Sequence, residues 1–365
     1  MSIEKEGQTA GVEVVTLQRP RPSDSSKPVF TGAQILPNRG MMVLQIVAHI
    51  PELGETNLLE APSLDRTRQI FSEGEDDYMG NKSFAFGGAI LLPYANRIRG
   101  YPSSDRKSIE TKILSTMVRL PANGGGKATG AEQFAIHGLI LKSDVEEVCK
   151  TSTVPEDRVT AYLSAGNFGG HWLSATDVWF EIILRSDAFI LSVTAKNTGR
   201  ETLPVGIGWH PYFSLPSGKR EQARLRIPAH KRVMVNNYDE VLPTGELSSV
   251  AGTAYDFLIP GGRSLGDLFL DDCFVALEKT AEGHTVAEIV DPEASYGVRI
   301  VATSPQVSAI QVYSLQSEPY VVLEPQFNWA DPYGEQWSHK SDTGMVILQP
   351  NEEVVYSTRL ELFTP

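Results

Sequence analysis

Short runs of β-branched, aromatic and aliphatic residues, many alternating with polar positions and punctuated by Gly, Pro and Asn, recur along the chain, while apolar positions at helical spacing are almost absent. The clearest runs are residues 178–185 and 189–196, separated by Ser186-Asp187 and closed by Asn197-Thr-Gly199, which predicts an antiparallel hairpin. Further hairpins are predicted from 285–291 with 298–302 and from 307–313 with 320–324, and runs at 345–348 and 352–362 close the chain. Upstream, 12–17 reads as an edge strand before a Pro- and Ser-rich link (19–27), and 41–50 reads as a core strand stopped by Pro51. The polar stretch 73–82 reads as a solvated loop, and 113–120 as one strand leading into the glycine-rich loop 121–130. No repeat and no domain linker is visible. The pattern predicts an all-β fold, a large antiparallel β-sandwich: residues 1–30 as an N-terminal arm or edge strand and 31–365 as a single domain.

Two of these runs carry polar groups where a buried strand would not need them. In Leu203-Pro-Val-Gly-Ile-Gly-Trp-His-Pro-Tyr-Phe-Ser-Leu215, read as one strand, Leu203, Val205, Ile207 and Trp209 share a face, and Pro204, Gly206, Gly208 and His210 share the other. Interior strand glycines mark the close approach of a ligand or another backbone, so His210 is either at the floor of a cleft or a core histidine beside a β-bulge. In Pro319-Tyr-Val-Val-Leu-Glu-Pro-Gln326, Glu324 emerges beside Tyr320, Val322 and Gln326. Partial burial there would raise its pKa toward that of a base useful near neutrality, or would serve only an ion pair with Arg97.

Three further positions repeat the theme. The apolar stretch from Phe84 ends abruptly in Asn96 and Arg97, and a charge at the end of a buried run needs a partner or a cleft. Phe134-Ala-Ile-His-Gly-Leu-Ile-Leu141 sets His137 within an apolar strand. Asp271 and Asp272 precede an apolar strand and face opposite ways, one toward a cleft and the other toward solvent. With no HExxH, cysteine cluster or EF-hand spacing, no metal site is expected. Gly262-Arg-Ser-Leu-Gly266 fits G-x-S-x-G but lacks the alternating α/β context of a nucleophile elbow, so it reads as a chance match in a turn.

Composition narrows the partner. Over 365 residues, 41% are hydrophobic and 32 basic residues face 45 acidic ones, giving a net charge of −13, which disfavours nucleic acid and anionic membranes and suits a small neutral ligand. Two unclustered cysteines, no leader-like N-terminus and no long apolar run lead to the expectation of a soluble, cytoplasmic protein.

Tyr94-Ala-Asn-Arg-Ile-Arg-Gly100, Ile136-His-Gly-Leu139, Gly208-Trp-His-Pro-Tyr-Phe213, Asp271 before Cys-Phe, and Leu323-Glu-Pro-Gln326 together resemble the aldose 1-epimerase (galactose mutarotase) family, in the family's order. The resemblance implies a large antiparallel β-sandwich with a cofactor-free sugar cleft, acting on α and β anomers of an aldose as a monomer or homodimer. It further implies Glu324 as general base and His210 as general acid, with Arg97, His137, Asp271 and Asn96 binding the sugar. The chain departs from relatives that have Gly-Arg at Leu92-Pro93 and His at Asp272, which leaves the preferred sugar open and points to a bacterial side branch. Competing expectations are a hexose-6-phosphate 1-epimerase, for which Arg220, Arg224, Arg226, Lys231 and Arg232 would supply cations or merely a solvated face, and a non-catalytic carbohydrate-binding module. A glycoside hydrolase would need a second carboxylate as well placed as Glu324.

Overall fold

The computed structural model describes residues 12–21, 26–73, 77–126, 130–338 and 341–365. Among these residues, two large antiparallel sheets pack face to face, with three small sheets at their margins. The larger sheet follows the order Val15–Gln18, Val29–Leu36, Met42–Ile50, Gly88–Leu91, Gly208–Ser214, Tyr320–Gln326, Ala309–Ser314, Leu270–Leu277, Ala229–Val235 and Pro243–Ser249. The second sheet centres on Glu156–Gly166, Thr176–Arg185, Phe189–Asn197, Glu353–Phe363 and Tyr296–Ala302. This is the predicted all-β sandwich. Its core is built from the inward face of each strand: Trp209 of the larger sheet is fully buried and stacks on Phe189 of the other, ring centroids 6.1 Å apart. Each large side chain removed from water in this way contributes about 1.5–3 kcal/mol.

The predicted hairpins form, with Phe180 opposite Val193, Ile289 opposite Val298, and Gln311 opposite Glu324. Four local expectations are corrected. The run 113–120 is a hairpin, Ser108–Ile113 with Thr116–Pro121, turning at Leu114 (φ +55°), and no Gly or Asn marks that turn. A helix, Leu64–Ser72, is capped by Ser63, whose Oγ accepts from the Arg66 N–H at 3.3 Å. It is short and buries little, touching the apolar patch of Leu36, Met42, Leu44 and Phe86 through Leu64, Ile70 and Phe71. The stretch 73–82, of which 74–76 lie outside the described residues, is not simply solvated: Asp77 pairs with buried Arg39 (Nη1–Oδ2 2.7 Å), and Lys82 donates to the Ile70 carbonyl at 2.7 Å.

The fourth correction bears on the site. The segment 203–215 is two strands, not one: Leu203–Val205 pairs with Val346–Leu348, and Gly208–Ser214 enters the larger sheet. At the break, the Gly206 N–H donates to the Pro93 carbonyl at 2.6 Å. A Cβ on Gly206 would lie 2.0 Å from Asn328 Oδ1, and one on Gly208 would lie 3.0 Å from the Ala95 Cβ. The glycines therefore admit neighbouring protein rather than a ligand. Asn328 cannot yield easily, because its amide both accepts from the Ala95 N–H (3.0 Å) and donates to the Ala95 carbonyl (2.9 Å). Gly206→Ala is expected to destabilise the protein by about 1–3 kcal/mol, as overpacking does elsewhere. A melting temperature within a degree of the parent would show that Asn328 is freer than these bonds require.

Candidate active site

On the outward face of the larger sheet, alternation and register bring polar groups from four strands together. Gly208 opposite Gln326 and Tyr212 opposite Val322 set His210 beside Glu324, Gln311 lies opposite Glu324, and Cys273 opposite Gln311 places Asp271 one step along the same face. Above them, the strands Arg97–Arg99 and Gln133–Ile136 pair with Arg97 opposite Ile136, so Arg97 and His137 arrive from one small sheet. His137 lies just past its strand, not inside it as the apolar pattern predicted. Asn96 (φ +59°) and His137 (φ +62°) both adopt the left-handed conformation, and the His137 N–H donates to the Asn96 carbonyl at 3.0 Å. Such backbone persists in non-glycine residues where the surroundings over-determine it. Here Gly138 (φ +82°) packs against Leu92, whose carbonyl oxygen would sit 2.3 Å from any Cβ at 138.

All six residues singled out from the sequence converge. His210 Nε2 is 3.5 Å from Glu324 Oε1, too long for a firm hydrogen bond, and the two imidazoles meet edge to face with centroids 4.7 Å apart. Arg97 Nη2 lies 3.2 Å from Asp271 Oδ2, and Asn96 Oδ1 accepts from the Arg97 N–H at 2.9 Å. Gln311, which no motif marks, joins the two halves: its amide donates to Asp271 Oδ1 at 2.6 Å, and its oxygen accepts from Asn96 Nδ2 at 2.8 Å. Asn328 and Asp331 pin the arginine segment from behind, the latter accepting from the Arg99 N–H at 2.9 Å. Only the period-two alternation of 309–314 signals Gln311, and nothing local signals Asn328.

Asp272 departs from expectation. It faces the other way but is fully buried rather than solvated, held by Arg232 and by the Tyr238 hydroxyl at 3.1 Å, and burial still pushes its carboxyl upward. The cationic run 220–232 is likewise dispersed. Arg220 is buried on the Ser314 hydroxyl and the Gly266 carbonyl, Arg224 and Arg226 belong to the second sheet, and Arg232 lies over the Tyr255 ring. Ser264 sits on the exposed two-residue edge strand Arg263–Ser264, with no strand-to-helix elbow around it.

Burial dominates the electrostatics. Desolvation, helped by the Asp271 carboxylate and opposed by Arg97, holds the Glu324 carboxyl well above its ordinary range. Desolvation also lowers both imidazoles, His210 to about 4 and His137 well below its usual value, with His210 and Arg97 adding to the effect on His137. Among the described residues, Glu324 Oε2 and His137 Nδ1 are buried without a hydrogen-bond partner. His137, His210 and Glu324 also offer ligand atoms within 4.8 Å of one another, a donor set compatible with a borderline divalent ion, where the sequence motifs lead to no metal site.

The sequence model described as aldose 1-epimerase matches residues 59–361. A 41-residue stretch is 46% identical to the uncharacterized protein YphB of Escherichia coli K12; the match spans 11% of this chain and only 14% of that relative's length. A galactose mutarotase-like protein of Clostridium acetobutylicum superimposes with TM-score 0.73 at 18% identity, covering 97% of this chain and 99% of its own. A galactose 1-epimerase of Lactobacillus acidophilus does so with TM-score 0.64 at 15% identity, covering 97% and 99%.

A carboxyl whose folded pKa is raised favours folding while protonated and loses that advantage as pH rises from the unfolded value toward the folded one. Glu324→Gln is therefore expected to melt higher than the parent at pH 8, with the difference shrinking toward pH 5. Melting curves across that range check this, and a constant or inverted difference would mean that Glu324 is not held protonated by burial.

Proposed function

Because the chain belongs to the aldose 1-epimerase family, we propose that it interconverts the α and β anomers of a free aldose, with Glu324 as general base and His210 as general acid. The observation that carries this reading is the placement of these two groups 3.5 Å apart on one face, both buried. Glu324 takes the proton of the anomeric hydroxyl while the His210 imidazolium protonates the ring oxygen; the C1–O5 bond breaks and the open aldehyde forms. Rotation about C1–C2 and the reverse transfers close the ring on the other face, so no proton is consumed. The opposed shifts of the pair favour the proton on the carboxyl over the imidazole. Its passage to the imidazole creates the charged base and acid together, and Arg97 and the sugar hydroxyls favour the carboxylate.

Arg97, Asp271, His137 and Asn96 are assigned to the sugar's remaining oxygens. A free sugar is favoured over a sugar phosphate because Arg97 is already paired with Asp271 on the same face, which disfavours a dianion.

Polarimetry of freshly dissolved α-glucose and α-galactose tests the reading directly. Glu324→Gln is expected to lower the catalysed rate by about 10²–10⁴-fold with the fold intact, and His210→Asn by about 10²-fold or more with little change in melting temperature. Near-normal turnover in Glu324→Gln, or a parent with no rate above buffer, would overturn the assignment. Dialysis against EDTA is expected to leave the rate unchanged; loss restored by a divalent ion would reassign His137, His210 and Glu324 to metal binding.

A further inference from the structure

The three buried side chains at the centre of the polar face have a second capacity that proton transfer does not require. His210 and Glu324 project from neighbouring strands of the larger sheet, with Nε2 and Oε1 3.5 Å apart. His137 meets them from the small sheet above, its ring centroid 4.7 Å from that of His210, and one donor atom from each residue lies within 4.8 Å of the other two. A tetrahedral zinc ion with bonds of about 2.0–2.1 Å holds its ligands about 3.4 Å apart. The His210–Glu324 spacing already meets that figure, and His137 has to close by at most about 1.4 Å, which side-chain rotation supplies. The supports are firm: sheet register fixes His210 and Glu324, and the His137 N–H is bonded to the Asn96 carbonyl at 3.0 Å.

The neighbours decide which donors are available. Asp271 is engaged by Arg97 and Gln311, which leaves two imidazoles and one carboxylate. Two nitrogens and one oxygen suit a borderline ion such as zinc, and not magnesium or calcium, which take oxygen ligands. Among the described residues His137 Nδ1, His210 Nδ1 and Glu324 Oε2 are buried without a hydrogen-bond partner, so no protein bond to these atoms has to break on coordination. The Phe84 ring, 4.8 Å from that of His137 and 6.2 Å from that of His210, gives the donors an apolar wall. We propose that His137, His210 and Glu324 form a zinc site with a fourth position open, and that zinc bound there excludes the sugar. The Glu324 carboxyl releases its proton to solvent as it coordinates, and the ion then occupies the two groups assigned to proton transfer. The exclusion, unlike the site itself, rests on the epimerase reading, and it makes zinc an inhibitor and not a cofactor.

Titration calorimetry of the metal-stripped full chain with zinc chloride tests the site without reference to activity. One zinc per chain is expected, and cobalt chloride in its place is expected to give the intense visible absorption of a four-coordinate ion. Glu324→Gln and His137→Asn, the latter keeping a residue tolerant of left-handed backbone, are each expected to weaken zinc binding by about tenfold or more. Cys149→Ser and His230→Asn, which remove an exposed thiol and an exposed imidazole elsewhere, are expected to leave it unchanged. Melting curves on each variant show that the protein titrated is folded. Absence of binding, or binding lost in Cys149→Ser or His230→Asn but kept in both site variants, would overturn the site. In polarimetry, zinc is expected to raise the apparent KM for the sugar without lowering kcat, EDTA to reverse the effect, and magnesium to have none. Zinc bound through the three residues with no rise in KM would overturn the exclusion. A parent that binds zinc there but turns over no sugar would sink the epimerase reading and leave the metal site standing.

Discussion

A carboxylate kept almost dry in the middle of a sheet is the constraint around which this molecule is arranged. Glu324 is 1% exposed, and one of its oxygens has no hydrogen-bond partner among the described residues. An ionised carboxyl in such a place is strongly disfavoured unless charge or hydrogen bonds answer it. The surroundings answer only partly: Arg97 favours the charged form, but its guanidinium is engaged by Asp271, whose own carboxylate opposes ionisation of Glu324. The result is a carboxyl that holds its proton more firmly than an exposed glutamic acid does.

Holding that balance requires the arginine to stay in place, and the chain invests more structure there than at Glu324 itself. Asn96 and His137 both take left-handed backbone and are bonded to each other; Gly138 packs on the Leu92 carbonyl; Asn328 grips Ala95 at both its N–H and its carbonyl. Asp331 secures the end of the Arg97–Arg99 strand by accepting from the Arg99 N–H. Gly206, with no room for a Cβ beside Asn328, completes the contact. The polar residues around Glu324 are thus supported from behind by a ring of amide and backbone bonds, which fixes their geometry.

The polar face and the core face share the same strands, and alternation separates them. Trp209 points inward to stack on Phe189 while its neighbour His210 points outward to Glu324. Asp271 and Asp272 show the same division, the first joined to Arg97 and the second buried on Arg232 and Tyr238.

Much of this was legible in the residues because period-two alternation depends on covalent geometry alone. It was enough to pair 285–291 with the strand after it, to turn His210 away from Trp209, and to separate Asp271 from Asp272. Family resemblance across five short motifs picked out the six polar side chains. What alternation could not supply was anything requiring a distant partner. The division of 203–215 into two strands follows from Pro93 and Asn328, about a hundred residues away in either direction. The role of Gln311 depends on Asn96 and Asp271 meeting above it, and the burial of Asp272 on an arginine forty residues upstream. Short-range chemistry decided which groups could serve, and only the closure of long-range contacts decided which of them would be dry, paired and adjacent.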